Sequence, residues 1–439
     1  MQQRELTKEA KDERLNEIEA FVRSMVERIV PTPMRRGRGR PAVLPTLCLW
    51  SSFLVGVLRG LGSQAAVWRL LAVHGLWDYP RFDVCDQAVR DRLARGGVAA
   101  MERFLDQVTA VLAERLLPYA DMTLARWAPL VVVLDETTLD PLARKLPSLR
   151  GTPAGDDTLL PGKVAGLFDL RLQQWLKLKW VEDVHSNEKL RARSMVEDLP
   201  KGSLVLADLG YFGFEWFDFL SQAGHEWVSR LRKKTSYKVR HVFYEHGSTL
   251  DALIWLGAHR ADRAAKPVRL VRFTHNGQQY EYITSVLVPK QLPLREIARL
   301  YARRWDIELA IKLVKRELGL HLFWGAKTEV VQAQVWAAFA IAQILMALRQ
   351  EVAARAGVDP FEVSMKLLIE WLPRLGHRGE DPMEVLLKYG RHAKIIRPSR
   401  RLKTSAPTIR DEDIVPLPPD LPLERTPRHS HRKCGPRTN

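Results

Sequence analysis

The stretch 129–138, PLVVVLDETT, decides how the chain is read. Three consecutive valines and a leucine carry no helical period, and β-branched side chains favour the extended backbone. A short apolar run of this kind, opened by Pro129 and closed by an acid, is expected to be a strand buried on both faces. The same texture returns in SLVLAD, residues 203–208. Two such strands, ending in Asp135 and Asp208, fit an α/β sheet, where the carboxyl ends of strands form the edge that binds ligands.

Working outward, GKVAGLFDLR (162–171) and QQWLKLKWVE (173–182) read as two further strands joined by a short polar turn. NEKLRARSMVEDL (187–199) and residues 213–224 read as helices, and HEWVSRLR (225–232) as the next strand. From about 232 to 278 the pattern is strand-rich and basic, with YKVRHVFY and PVRLVRFT separated by a small helical stretch; this is taken as an insertion. YEYITSVLV (280–288) returns to the core as a strand, and PLREIARLYARRWDIELAIKLVKREL (293–318) is one long helix. The sheet-bearing core is thus placed at 129–350 and a C-terminal helical region at 351–390. The remainder, 391–439, is rich in Pro and Arg without apolar periodicity, and is expected to be a disordered basic tail.

Upstream, residues 6–30 show apolar side chains at helical spacing among charges, an amphipathic helix. It leads into the basic linker PTPMRRGRGRPAVLP, so that 1–45 form one unit. Residues 46–128 read as a helical DNA-binding region. Within it, Ser63–Val73 and Val84–Ala94 resemble a helix-turn-helix, or simply packing helices.

Lys and Arg number 68 against 51 Asp and Glu, a net charge of +17. That field favours a polyanion, because neutralised phosphates release their condensed counterions. Apolar residues make up 46% of the chain, enough for a folded core. Cys48, Cys85 and Cys434 are too few and too scattered for a disulfide framework or a zinc site, as are His429 and His431 beside the last of them. The longest apolar run, 330–348, is broken by Gln332, Gln334 and Gln343. A membrane span calls for about 18 or more uninterrupted apolar residues, so a buried helix is expected, and a cytoplasmic, nucleoid-associated prokaryotic protein without membrane partners. In 35–41, RRGRGRP, the residues Arg36, Arg38 and Arg40 could lie in an AT-rich minor groove, or form a plain basic linker.

The chemistry concentrates in YARRWDIELAIKLVK, 301–315. Tyr301, Arg304, Glu308 and Lys315 are spaced three, four and seven apart, which on a regular helix places them on one face. With Asp135 and Asp208 at strand ends, Glu308 supplies a third hard oxygen donor. Such a set selects Mg²⁺ or Mn²⁺, and a pair of ions suits in-line displacement at phosphorus. Arg304 and Lys315 suit phosphates. The nearby acids Glu136, Asp140, Asp169, Asp183, Asp306 and Glu317 match no motif and are read as surface or turn residues.

The order LDETT, then ADLGYF, a strand-rich insertion, and a Y-x2-R-x3-E-x6-K helix resembles the DDE insertion-sequence transposases with the YREK signature. The resemblance covers about residues 129–350. It implies an α/β, RNase H-like mixed sheet with a strand-rich insertion, flanked by N-terminal and C-terminal helical regions. It implies catalysis by Asp135, Asp208 and Glu308 with two Mg²⁺ or Mn²⁺ ions, and DNA contacts from Tyr301, Arg304, Lys312 and Lys315. An aromatic residue on the strand that leaves the insertion stacks on a flipped base in some members; Tyr280 stands nearest to that place, where better-known members have Trp. The implied function is cleavage at the ends of a mobile element and strand transfer of the 3′-hydroxyl into target DNA, by two protomers synapsing double-stranded DNA ends. Two alternatives stay open: an RNase H-like nuclease without strand transfer, and an inactive DNA-binding derivative.

Overall fold

The computed structural model describes residues 17–29, 43–139, 163–181, 188–258, 262–320, 322–325, 327–375, 381–399 and 405–429. Arg36, Arg38, Arg40, Asp140 and Asp183 lie outside them. The chain opens with helices α1 (Glu17–Ile29), α2 (Thr46–Leu58), α3 (Gln64–Arg69, continued by a π-turn over Leu70–His74) and α4 (Asp86–Leu116). Ser63 caps α3 by accepting a hydrogen bond from the Ala66 amide, 3.1 Å. Both segments of the supposed helix-turn-helix are helical. The second is the start of the 31-residue α4, and Val67, Leu71, Val89 and Leu93 are all buried in the main core.

The strands β1 (Val131–Thr138), β2 (Lys163–Asp169) and β3 (Gln174–Val181) form an antiparallel meander. Helix α5 (Glu188–Val196) leads to β4 (Leu204–Ala207), and α6 (Phe214–Gln222) to β5 (Glu226–Arg230); β4 runs parallel to β1, and β5 parallel to β4. The order β3-β2-β1-β4-β5 with these directions is the expected RNase H-like sheet. The insertion extends it: β6 (Tyr237–His246), β7 (Thr249–Leu256), β8 (Val268–His275) and β9 (Gln278–Thr284) are antiparallel, and β9 pairs with β5, giving nine strands in one sheet among the described residues. The small helical stretch expected between the insertion's strands is therefore corrected, since TLDALIWL is β7. Its Asp251 is buried against Arg269 of β8 in a bidentate ion pair, 2.7 and 2.6 Å.

Side-chain alternation splits β1 between two cores. Val131 and Val133 join α1–α4, while Val132 and Leu134 join α5 and α6. The long helix of the sequence reading is α7 (Leu294–Arg303) and α8 (Trp305–Lys312), ending in a π-turn over Leu313–Glu317. Then come α9 (Thr328–Ala356), α10 (Met365–Leu375) and α11 (Pro382–Tyr389). Helix α9 is the apolar run that resembles a membrane span, and it is buried within the protein. Its glutamines are connectors: Gln343 accepts the Trp175 amide, 2.8 Å, and Gln334 accepts the Trp324 amide, 3.0 Å.

Residues 405–429 correct the expectation of a disordered tail. Their backbone is irregular, as the prolines dictate, yet it is bonded to the insertion. The Val415 amide donates to Phe243 O (2.8 Å), the Arg425 amide to Ala265 O (2.9 Å), and Arg263 and Arg428 exchange backbone bonds. Arg425 also lies over the Trp255 ring.

Gly166 stands opposite Asp135 in the β1–β2 register. A Cβ there would come 2.4 Å from the Trp175 ring, which is wedged edge-on between Phe168 and Phe339. Overpacking of such a site costs about 1–3 kcal/mol. Gly166→Ala should therefore lower the unfolding free energy by that amount, read as a lowered denaturation midpoint. At Gly62, where the added methyl meets only Leu322 at 3.8 Å, the same change should cost less than about 0.5 kcal/mol. Equal midpoints for the two variants would show that Trp175 is free to move.

Candidate active site

Asp135 sits on β1 where the strand leaves the core, and Asp208 follows the last residue of β4. Because β1 and β4 are parallel neighbours, both acids emerge at the same edge. Helix α8 packs beside β1 and brings Glu308 there. The three carboxylates share one electrostatic neighbourhood. Burial raises the Asp135 pKa to about 6, the Glu136 amide and Arg304 pull it down, and the charges of Glu308 and Asp208 push it up. The Glu136 amide donates to Asp135 Oδ1, 2.8 Å.

Arg304 lies among these acids. One Nη donates to Glu308 Oε1 at 2.9 Å. Burial lowers its pKa, but Asp208, Tyr301 and Glu308 outweigh burial and hold it above the ordinary value. The guanidinium rests over the Trp305 ring (5.0 Å) and the Tyr301 ring (5.7 Å). Among the described residues, no three His, Cys, Asp or Glu side chains are drawn together closely enough to hold one metal ion; Glu308 is engaged with Arg304 instead. The donor chemistry still fits a hard divalent cation: three carboxylates, one of them with its pKa raised by burial and, to a lesser extent, by the charges of the other two.

The remaining motif residues fall differently from the one-face expectation. Tyr301 is only 5% exposed and packs on Tyr282, with ring centroids 4.9 Å apart. Burial raises its pKa, and its hydroxyl has no hydrogen-bond partner. In this structure the ring is covered by its core neighbours. Lys315 lies in the π-turn, whose wider spiral changes the residue's bearing. Its ammonium donates to Thr138 O at the end of β1, 2.6 Å. Lys312 is exposed. Tyr280 is half-buried and stacks on Phe273, 5.3 Å, in a row that continues through Tyr282 to Tyr301.

The neighbouring acids have structural partners. Glu136 makes a bidentate pair with Arg191 (3.1 and 2.9 Å), Asp169 accepts the Arg171 and Leu172 amides in the β2–β3 turn, and Asp306 binds Arg303 and Gln173. Glu317 is exposed. Sequence reasoning missed Arg230 and Arg232. Strand β5 runs parallel to β4, so its end, carrying the exposed Arg230, opens on the same edge. Arg232 donates to Leu209 O, 3.0 Å, and covers the Phe212 ring, bracing the turn after Asp208. The available signal was the run RLRKK directly after a strand.

Residues 163–344 match the family described as Transposase DDE domain. Over that span, about two fifths of its length, the chain is similar to transposase DDE domains. Asp208 and Glu308 fall inside the matched span and Asp135 lies ahead of it. A Sinorhizobium fredii protein named as a transposase, y4zB, is 27% identical over 165 residues, covering 36% of this chain and 45% of that protein. The transposase InsG for insertion sequence element IS4, from Escherichia coli, is 26% identical over 199 residues, 43% of this chain and 44% of that protein. The chain thus spans less than half the length of either relative. A solved piggyBac transposase synaptic complex with hairpin DNA aligns with a TM-score of 0.40 at 10% identity, over 93% of this chain and 86% of that one. That likeness is too distant to bear on the site of the DDE domain.

The raised pKa of Asp135 has a direction that can be checked. Its folded value of about 6 lies above the ordinary 3.8, so its contribution to stability is fully present below about pH 4 and is lost as pH rises through about 6. At pH 8 the buried charge therefore costs up to about 3 kcal/mol. Asp135→Asn should melt above the wild type at pH 8, with the advantage fading toward pH 4. Carboxyl NMR of the metal-free protein should show the Asp135 midpoint falling in Asp208→Asn and in Glu308→Gln. A midpoint that stays put in both would mean that the three acids are electrostatically separate.

Proposed function

We propose that the protein is a DNA transposase that cleaves at the ends of a mobile element and transfers the freed 3′-hydroxyl into target DNA. The observation that carries this reading is the placement of Asp135 and Asp208 side by side at the carboxyl edge of the sheet, with the Glu308 helix packed against the same strand and Arg304 bonded to Glu308. DDE transposases as a family use divalent metal ions, and the three carboxylates are the residues that would hold them, as Mg²⁺ or Mn²⁺. Bound there, a pair of ions supplies activation of the attacking oxygen and stabilisation of the leaving oxygen. The chain's own residues do the rest. Arg304 and Lys312 hold backbone phosphates beside the acids, Arg230 extends that cationic rim, and Lys315 fixes the end of β1 against α8. The half-buried Tyr280 supports an extruded base, and Arg36, Arg38 and Arg40 grip an AT-rich minor groove. Two protomers assemble on two DNA ends, in the cytoplasm.

Asp135→Asn, Asp208→Asn and Glu308→Gln should each reduce Mg²⁺-dependent cleavage of an element end by at least about a thousandfold while the ends remain bound. Near wild-type cutting by any one of them removes that residue from the site. Joining of cut ends to a supercoiled target plasmid separates strand transfer from simple nuclease action, and cleavage without any joined product would favour the nuclease.

Base–aromatic stacking is worth about 1–3 kcal/mol. Tyr280→Ala should slow hairpin formation or second-strand cleavage more than first-strand nicking, and Tyr280→Trp should preserve both. Uniform slowing, with a lowered melting temperature, would mean that Tyr280 serves only its stack on Phe273.

A further inference from the structure

Arg304 combines three features that a permanent structural arginine does not need. Its hydrogen bond goes to Glu308, one of the three acids, while the charge of Asp208 and that of Glu308 both act on it. Its side chain is 6% exposed whereas that of Glu308 is 35% exposed, so the pair stands at the mouth of the site with the carboxylate outermost. Its Nε is buried without a partner. A guanidinium offers five donors in a planar fork, and leaving one buried and unmade is costly. A phosphate is the ligand whose geometry fills such a fork bidentately. By contrast, Arg303 one residue earlier is fully committed, to Asp306 at 2.6 Å and Asp121 at 3.1 Å.

We propose that Arg304 is an exchangeable counter-ion that makes divalent-cation binding depend on DNA. Without DNA it neutralises Glu308 and withholds that carboxylate from the metal. When a backbone phosphate enters beside Trp305, the guanidinium turns its fork to the phosphate and Glu308 is released to complete the donor set with Asp135 and Asp208. The step forms no covalent bond: one ion pair is replaced by another, and the cation arriving at Glu308 replaces the charge that Arg304 withdrew. The site is thereby kept from assembling on free metal alone. Arg304 is a positioning residue in this role, and the proposal rests on the metal reading of the three carboxylates.

The test measures Mn²⁺ affinity of the full chain, by electron paramagnetic resonance of free Mn²⁺, with and without a short DNA duplex lacking element ends. In the wild type the duplex should tighten Mn²⁺ binding about tenfold, within the usual range of coupling between sites. Arg304→Gln should bind Mn²⁺ about tenfold tighter than wild type without DNA, and the duplex should then add less than about twofold. In a Glu308→Gln background, adding Arg304→Gln should change Mn²⁺ affinity by less than about twofold, because the effect runs through that carboxylate. An equal effect in both backgrounds would overturn the exchange and leave a general field effect. Should Arg304→Gln fail to fold, the wild type and Glu308→Gln suffice. Reciprocity requires Mn²⁺ to tighten duplex binding in the first by the factor the duplex tightens Mn²⁺, and not in the second; equal coupling in both overturns the proposal. If, with the duplex present, Asp135→Asn and Glu308→Gln bind Mn²⁺ as tightly as wild type, the metal reading itself falls, an outcome distinct from unchanged Mn²⁺ binding in Arg304→Gln alone.

Discussion

The buried ion pair between Arg303 and Asp306 fixes the helix on which the site depends. Arg303 Nε meets Asp306 Oδ2 at 2.6 Å, Gln173 of the β2–β3 turn donates to the same oxygen, and Arg303 reaches Asp121 in the segment before β1. Arg171, from that same turn, donates to Leu124 O and Ala125 O. Three chain segments are thus joined at the amino end of β1. At the other end of the strand, Lys315 donates to Thr138 O. Glu308 lies between these two fastenings, so its position relative to Asp135 is set by a helix tied to one strand at both ends. A buried pair of this sort contributes little net stability, because desolvation offsets the attraction. Its value is registry, since slipping α8 along β1 would strand charges without partners.

The sheet underneath is held by the opposite kind of force. β1 and β4 are enclosed on both faces, and alternate side chains serve two separate cores. Helix α9 supplies one of the covering faces almost entirely from small and apolar residues, with Gln334 and Gln343 tying backbone amides that would otherwise be orphaned.

Much of this was legible in the residues. VVVLDETT and SLVLAD carry their meaning locally, because an apolar run ended by an acid needs no knowledge of its neighbours to be read as a strand end. The placement of Glu308 and Arg304 on one helical face was likewise in their spacing, and the two are bonded. What could not be read were features set by tertiary partners. TLDALIWL resembles a helix as readily as a strand until Asp251 finds Arg269 across the ladder. Tyr301 shares a helical face with Glu308, yet that face is part core, and only the approach of Tyr282 decides that the ring is covered. The π-turn at Leu313–Glu317 breaks the assumption of regular spacing on which Lys315 was placed. Residues 405–429 are held by backbone hydrogen bonds, which leave no periodic trace in sequence.

The pairing of α4 with α9 bears on how the protein comes into being. These two helices form the most extensive helix–helix contact in the structure, yet Asp86–Leu116 is synthesised long before Thr328–Ala356. On the ribosome, the valines of β1 that face this side wait with α4 for a cover that arrives only after the whole insertion has been translated. Contacts so distant along the chain make folding slow and leave apolar surface open meanwhile. The nascent polypeptide therefore presents uncovered apolar surface until Thr328–Ala356 has been made.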